Sequence, residues 1–291
     1  ISSSLNFGDE VLICHNGFWG ERLVEICKAW KCKIHLLKKD FNQVIDASEV
    51  SKILKKNKKI KLVLVVHIET STGLSNPIKE IAETVKKTKS LMMVDSIAGL
   101  GGVDIKTDLW NIDFLITSSQ KCLGAPAGLG FLCISDKAMK VVTSKLKINN
   151  VGWSINIQNL ISYQKKWKDW HPHGPTTAPV SIYLALEKSI DNLFKEGLIN
   201  VYARHIKVKN YVREAINNLG LKLFIENNVF AAETLTTFLL PKKINSKKFI
   251  FNIKKKYAII LSGDLGYVDK QLIRVGHMGN HANLKYAKKT I

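Results

Sequence analysis

Arginine is scarce in this 291-residue chain: of 44 basic residues only Arg22, Arg204, Arg213 and Arg274 are arginines. The formal net charge of +20 would suit a nucleic-acid partner. The lysines, however, are spread along the whole chain in short clusters, and the guanidinium fork that reads phosphate is what is missing. The excess therefore points to a compositional bias toward lysine, and no specific nucleic-acid partner is expected. The five cysteines are odd in number and include no C-x-x-C, which excludes a disulfide framework and fits a reduced, cytoplasmic setting. His171 and His173 lie close in sequence without further Cys or His at zinc spacing, so they are expected to be a loop pair and no metal is expected. Apolar runs such as residues 62–66 fall far short of the roughly 20 residues needed to cross a bilayer, so no membrane partner is expected. No signal peptide, internal repeat or long low-complexity linker is visible.

The chain does have a large apolar fraction, 46%, with mean hydropathy near zero, enough for one large and one smaller domain. Short apolar runs at 10–14, 33–37, 62–67, 91–94, 113–117 and 130–134 predict strands. Helical spacing falls between the earlier ones, at 19–31, at 48–56 and after Pro77. Such alternation predicts a mostly parallel sheet covered on both faces, the α/β class, with ligands gathered at the carboxyl ends of the strands. Beyond the loop 174–179 the pattern becomes α+β. Helical periodicity runs over 180–219 with a break near Gly197, and strands are predicted at 221–225, 234–240 and 272–275, with a helix near 246–256. The expected division is a large domain, 1–196, and a small one, 197–291.

Three polar groups follow buried strands: residues 70–73, Asp95, and residues 118–121. In the last, the apolar run 112–116 leads into Thr117, Ser118, Ser119, Gln120 and Lys121, and a loop with Gly124, Pro126 and Gly128 follows. One lysine is thereby set at a strand end beside hydrogen-bond donors. Asp95 precedes it by 26 residues, one strand–crossover–strand unit, which puts both at the same edge of the sheet.

The whole stretch 112–132 resembles the lysine signature of the class V aminotransferases, pyridoxal 5'-phosphate enzymes of fold type I. Residues 67–73, 94–102 and 274–279 are similar to motifs of alanine–glyoxylate and serine–pyruvate aminotransferases, and the resemblance runs over nearly all of the chain. It implies that Lys121 carries the cofactor as a Schiff base, which needs an amine deprotonated near neutral pH, and then serves as general base and acid. It places Asp95 against the pyridine nitrogen, which a carboxylate keeps protonated; a helix cap is the competing role. Ser118 and Gln120 become phosphate ligands, with Gln120 the stronger candidate and Ser118 equally a turn former. Thr70 becomes a cofactor contact, Ile97 packs on one ring face and Trp19 stacks on the other, a core Trp being the alternative. Thr177 is assigned to the phosphate of a neighbouring subunit, which requires a homodimer. Arg274, kept as Arg in a lysine-rich chain, suits a substrate carboxylate through its planar fork; a structural ion pair is the alternative.

The implied reaction moves an amino group from alanine or serine to glyoxylate or pyruvate. Residues 121–126 and 274–279 equally resemble a pyridoxamine–pyruvate transaminase. A cysteine desulfurase, of the same superfamily, would need a nucleophilic Cys in the later half, and none follows Cys133. A non-catalytic basic binding protein is the alternative of another class. The resemblance also implies a chain that begins after the family's Gly/Ser-rich phosphate-binding turn and stops inside a last helix near 286–291.

Overall fold

The computed structural model describes residues 1–144, 152–169, 174–266 and 271–291; His171 and His173 lie outside them. The first part alternates strands and helices: β1 (Glu10–His15), α1 (Phe18–Ala29), β2 (Lys33–Lys38), α2 (Ala47–Lys56), β3 (Ile60–Val66), a short hairpin of β4 (Ile68–Glu69) and β5 (Leu74–Ser75), α3 (Ile78–Val85), β6 (Leu91–Asp95), β7 (Phe114–Ser118) and β8 (Gly130–Ile134). Six of these form one sheet in the order β2-β1-β3-β6-β7-β8. All neighbours are parallel except β8, which runs antiparallel to β7 at the edge.

Alternation of side chains along each strand builds two apolar layers. Val63 and Val65 of β3 face one way, with Leu12 and Met92, and meet Val50 and Leu54 of α2 and Ile78, Ile81 and Val85 of α3. Leu62, Leu64 and Val66 face the other way, with Ile13, Met93 and Phe114, and meet Leu23, Val24 and Cys27 of α1. Burial on both faces is why these strands are near-continuous apolar runs.

Two helices follow that the apolar pattern does not predict, α4 (Asp136–Ser144) and α5 (Ile157–Trp167). Their periodicity is faint because α4 buries only Ala138 and Val142, and α5 only Gln158. The long helical stretch divides where expected, into α6 (Val180–Glu196) and α7 (Leu198–Asn218). Gly197 between them has φ +85, a conformation L side chains avoid, and its N–H closes α6 on the carbonyls of Leu193 and Phe194. A second sheet, antiparallel, has the order β11-β12-β10-β9 and comprises β9 (Lys222–Leu223), β10 (Leu235–Leu239), β11 (Ser262–Gly263) and β12 (Leu272–Gly276). Val208, Val212 and Ile216, one stripe of α7, pack on Phe238, Ile273 and Val275. α8 (Ser246–Tyr257) and α9 (Leu284–Thr290) complete this part. Among the described residues no helix is long and apolar enough to cross a membrane.

His67, directly after β3, is buried and its Nδ1 lies 3.0 Å from Ser96 Oγ. Burial pulls its pKa down to about 4, so the fold holds the neutral ring while an unfolded chain takes up a proton near pH 6.5. The stability this imidazole contributes is thus complete above pH 6.5 and is lost as pH falls toward 4. Urea unfolding at pH 7 and pH 5 should show the parent losing roughly 2 kcal/mol more than His67→Asn between the two conditions. Equal losses in the two proteins would show that His67 titrates normally in the fold.

Candidate functional site

β1 sends the chain to β2 on one side, while β3 lies on its other side, so the crevice outside the carboxyl ends of β1 and β3 is a topological switch point. Four adjacent strands, β1, β3, β6 and β7, deliver their next residues to this edge. They bring the segments around Trp19, Thr70, Asp95 and Lys121 together.

Asp95 is the last residue of β6 and is paired in register with Ile116 of β7, two residues before Ser118. Its Oδ1 accepts the Ile97 N–H at 3.0 Å, and no donor among the described residues meets Oδ2. Burial raises the Asp95 pKa, opposed by the Ile97 hydrogen bond and by the charge of Lys121. The carboxylate and the amine therefore share one electrostatic environment. The Ile97 bond is a capping contact, so both roles foreseen for Asp95 are compatible with one conformation, each using a different oxygen.

Lys121 lies in the turn after β7 and is partly buried. Its turn is fixed by the Gly124 N–H on the Lys121 carbonyl and the Ala125 N–H on the Ser119 carbonyl, both at 3.0 Å. Ser119 Oγ also donates to the Pro126 carbonyl at 2.6 Å. Ser189 of α6 donates to the Leu123 carbonyl. Gly279, beyond β12, approaches so closely that a Cβ there would stand 3.2 Å from the carbonyls of both Lys121 and Cys122. The lysine is thus mounted on a rigid main-chain turn that touches both parts of the molecule.

Trp19 is in the first turn of α1, and its indole N–H donates to Thr70 Oγ1 at 2.7 Å. The Thr70 carbonyl in turn accepts Arg274 Nη1 at 3.0 Å, although the two residues are 204 positions apart. Arg274, on β12, gives its Nε–H to the Gly263 carbonyl at 2.8 Å. Burial pulls the guanidinium pKa down, opposed by Asp264 and Glu69. Its Nη2 meets no acceptor among the described residues. Among the described residues Arg274 is therefore held by main-chain carbonyls, with no direct ion pair and no acceptor on the other arm of the fork.

The expected phosphate ligands divide. Ser118 Oγ is buried without a hydrogen-bond partner among the described residues, an unmet polar atom beside the lysine turn. Gln120 is exposed and makes no side-chain hydrogen bond among the described residues, and Thr177, ahead of α6, is likewise exposed. No side-chain hydrogen bond among the described residues draws either of them to the Asp95–Lys121 pair. Sequence reasoning assigned no role to Glu69. It is completely buried, and its carboxylate accepts four hydrogen bonds, from the N–H groups of Trp19, Gly20 and Ser71 and from Ser71 Oγ. A lone acid three residues past a long buried strand is the available signal.

The donor set among the described residues fits pyridoxal phosphate: an amine, a half-buried carboxylate with one uncommitted oxygen, an unpartnered hydroxyl, and an aromatic ring at one edge. A family model described as aminotransferase class-V matches residues 1–267. The chain is 35% identical over 279 residues to an uncharacterized aminotransferase of Methanocaldococcus jannaschii, covering 96% of this chain and 71% of that protein. It is 31% identical over 280 residues to alanine–glyoxylate aminotransferase of Mus musculus, covering 94% and 66%. Among solved structures, alanine–glyoxylate aminotransferase from Nostoc sp. superposes with a TM-score of 0.91 at 27% identity, covering 99% of this chain and 74% of that one. Pyridoxamine–pyruvate aminotransferase from Mesorhizobium loti gives 0.88 at 26% identity, covering 99% and 72%. This chain thus spans about two thirds to three quarters of the length of these relatives. A lysine turn, a half-buried acid and a doubly wound sheet, together with a match over most of the sequence, place the chain in the class-V aminotransferases, the pyridoxal-phosphate-dependent transaminases of fold type I.

Proposed function

We propose that this transaminase moves an amino group from a small amino acid, alanine or serine, to glyoxylate or pyruvate, with Lys121 as the residue that carries the cofactor. The observation that supports it best is the pairing of β6 with β7, Asp95 opposite Ile116, which sets Asp95 and Lys121 at neighbouring strand ends. Pyridoxal phosphate, when bound, receives the substrate's amino group and delocalises the electron pair left on Cα. Lys121 Nζ is the group that takes the proton from Cα and returns it, because its turn is rigid and its side chain is only partly covered. Asp95 Oδ2 holds a proton on the ring nitrogen. Trp19 and Ile97 are the residues that would pack on the cofactor ring and keep water away. Thr70, Ser118 and Gln120 hold the cofactor's polar groups, and Arg274 directs its free Nη2 at the substrate carboxylate. The break at Gly197 supports a large domain of residues 1–196 and a small one of 197–291. The outward-facing Thr177 supports a homodimer in which it reaches the neighbouring subunit's phosphate, and the odd, mostly buried thiols support a cytoplasmic setting. The likeness to the Mesorhizobium loti enzyme supports a second reading, pyridoxamine as amino donor and pyruvate as acceptor. Assaying pyridoxamine against alanine separates the two.

Three outcomes test the site. Borohydride reduction of the cofactor-loaded protein, followed by peptide mapping, should place the pyridoxyl label on Lys121, and Lys121→Ala should fold yet lose half-transamination; a label on another lysine would overturn the assignment. Asp95→Asn keeps shape and removes charge, and its turnover should fall by roughly 10²-fold, about 2.7 kcal/mol of transition-state stabilisation; near-parental turnover would leave Asp95 as a cap alone. Arg274→Lys should weaken alanine and pyruvate alike by about 2 kcal/mol, roughly 30-fold, with cofactor retained. Steady-state kinetics for both substrates check this, and unchanged Michaelis constants would remove Arg274 from the site.

A further inference from the structure

We infer that Glu69 is a positioning residue, a buried carboxylate that orients Trp19 for the cofactor; this rests on the placement of the cofactor at Lys121. α1 begins without a cap of its own, since Gly17, the residue before it, has no side chain to offer. Its first N–H groups are instead met from a different part of the chain. Phe18 N–H donates to Ser71 Oγ at 3.2 Å, and the N–H groups of Trp19 and Gly20 donate to Glu69 Oε2 at 3.0 and 3.3 Å. The other oxygen, Oε1, is held by Ser71 at 3.0 Å from its N–H and 2.6 Å from its hydroxyl. A negative group at a helix N-terminus is favourably placed against the helix dipole. Burial pushes the Glu69 pKa up, while all four hydrogen bonds favour the charged form.

The arrangement demands space that only glycine leaves. A Cβ on Gly17 would stand 2.2 Å from Glu69 Cγ and 2.3 Å from Cδ. The backbone of Gly17 is extended, so what Gly17 supplies is room for the carboxylate. The consequence reaches three ligand-facing residues. Trp19 is pinned at its backbone by Glu69 and at its indole by the next residue, Thr70. Thr70 also carries Arg274 on its carbonyl, and Arg274 feels the Glu69 charge. One acid, contacting neither substrate nor cofactor, fixes the ring and stands behind the anchor of the substrate arginine. Glu69 thus acts through geometry, and its loss should move binding before it moves stability.

The experiment compares the parent, Trp19→Phe, Glu69→Gln and Gly17→Ala, first without and then with pyridoxal phosphate. Without cofactor, the parent-minus-Trp19→Phe emission isolates the Trp19 indole; in Glu69→Gln and Gly17→Ala, each paired with its own Trp19→Phe control, that emission should be red-shifted and more open to acrylamide quenching. With cofactor, Glu69→Gln should bind pyridoxal phosphate roughly tenfold or more weakly and lose visible circular dichroism of the bound chromophore. Gly17→Ala should do the same by displacing the carboxylate, yet add nothing in a Glu69→Ala background. Unaltered Trp19 emission in both variants overturns the inference. Altered emission with unchanged cofactor affinity and dichroism also overturns it, reducing Glu69 to a helix cap. Cofactor spectra that ignore Trp19→Phe as well would refute the stacking of Trp19 itself, a failure distinct from that of Glu69.

Discussion

Parallel strands buried on both faces leave polar side chains almost nowhere to go except the strand ends, and this constraint organises the whole molecule. β1, β3, β6 and β7 are apolar along nearly their entire length because helices cover each side. The chain becomes polar where each strand emerges: at His15 and Asn16, at His67 and Glu69, at Asp95, and at Ser118 and Lys121. Since the four strands are neighbours and run the same way, these exits form one row. The site is a by-product of packing, and its precision comes from the sheet's hydrogen-bonded register.

That precision extends past the sheet through the 69–73 turn. On one side the turn caps α1 and orients Trp19. On the other it receives the second sheet, through Arg274 on the Thr70 carbonyl and Thr237 Oγ1 on the Thr72 carbonyl at 2.5 Å. Gly279 completes the joint by resting on the lysine turn. Cofactor-facing and substrate-facing residues are thus tied by a few short bonds, beside small apolar clusters that join Ile68 and Ala98 to Ala232 and Leu235, and Leu74 to Ile225 and Ala231.

The parallel sheet, the break at Gly197 and the lysine turn were legible in the sequence because each leaves a local trace: a run of β-branched residues, a glycine between two helical stripes, a polar cluster after a strand. α4 and α5 left little trace, since a helix with only one or two buried side chains has almost no periodicity to detect. Asp95 was found through its spacing to Lys121. Glu69 lies inside the 67–73 motif yet gains no role from it, because its partners at Trp19 and Gly20 are about 50 residues away and no local pattern encodes that meeting. The engagement of Arg274 with two carbonyls was invisible for the same reason. Gln120 and Thr177 face outward, a property set by the surface of the fold and not by their neighbours in sequence.

The joint between the two sheets is written in main-chain atoms. Arg274 and Thr237 both grip carbonyl oxygens of the 70–72 turn, and every amino acid presents a carbonyl oxygen. A side chain in that turn can therefore be exchanged without unfastening the joint, provided the backbone keeps its path. At Thr70 the anchoring carbonyl and the side chain that faces the site are chemically separate. Exchange of the side chain at position 70 accordingly leaves the grip of Arg274 in place while it releases the Trp19 indole, whereas the arginine that reads the carbonyl has no such freedom.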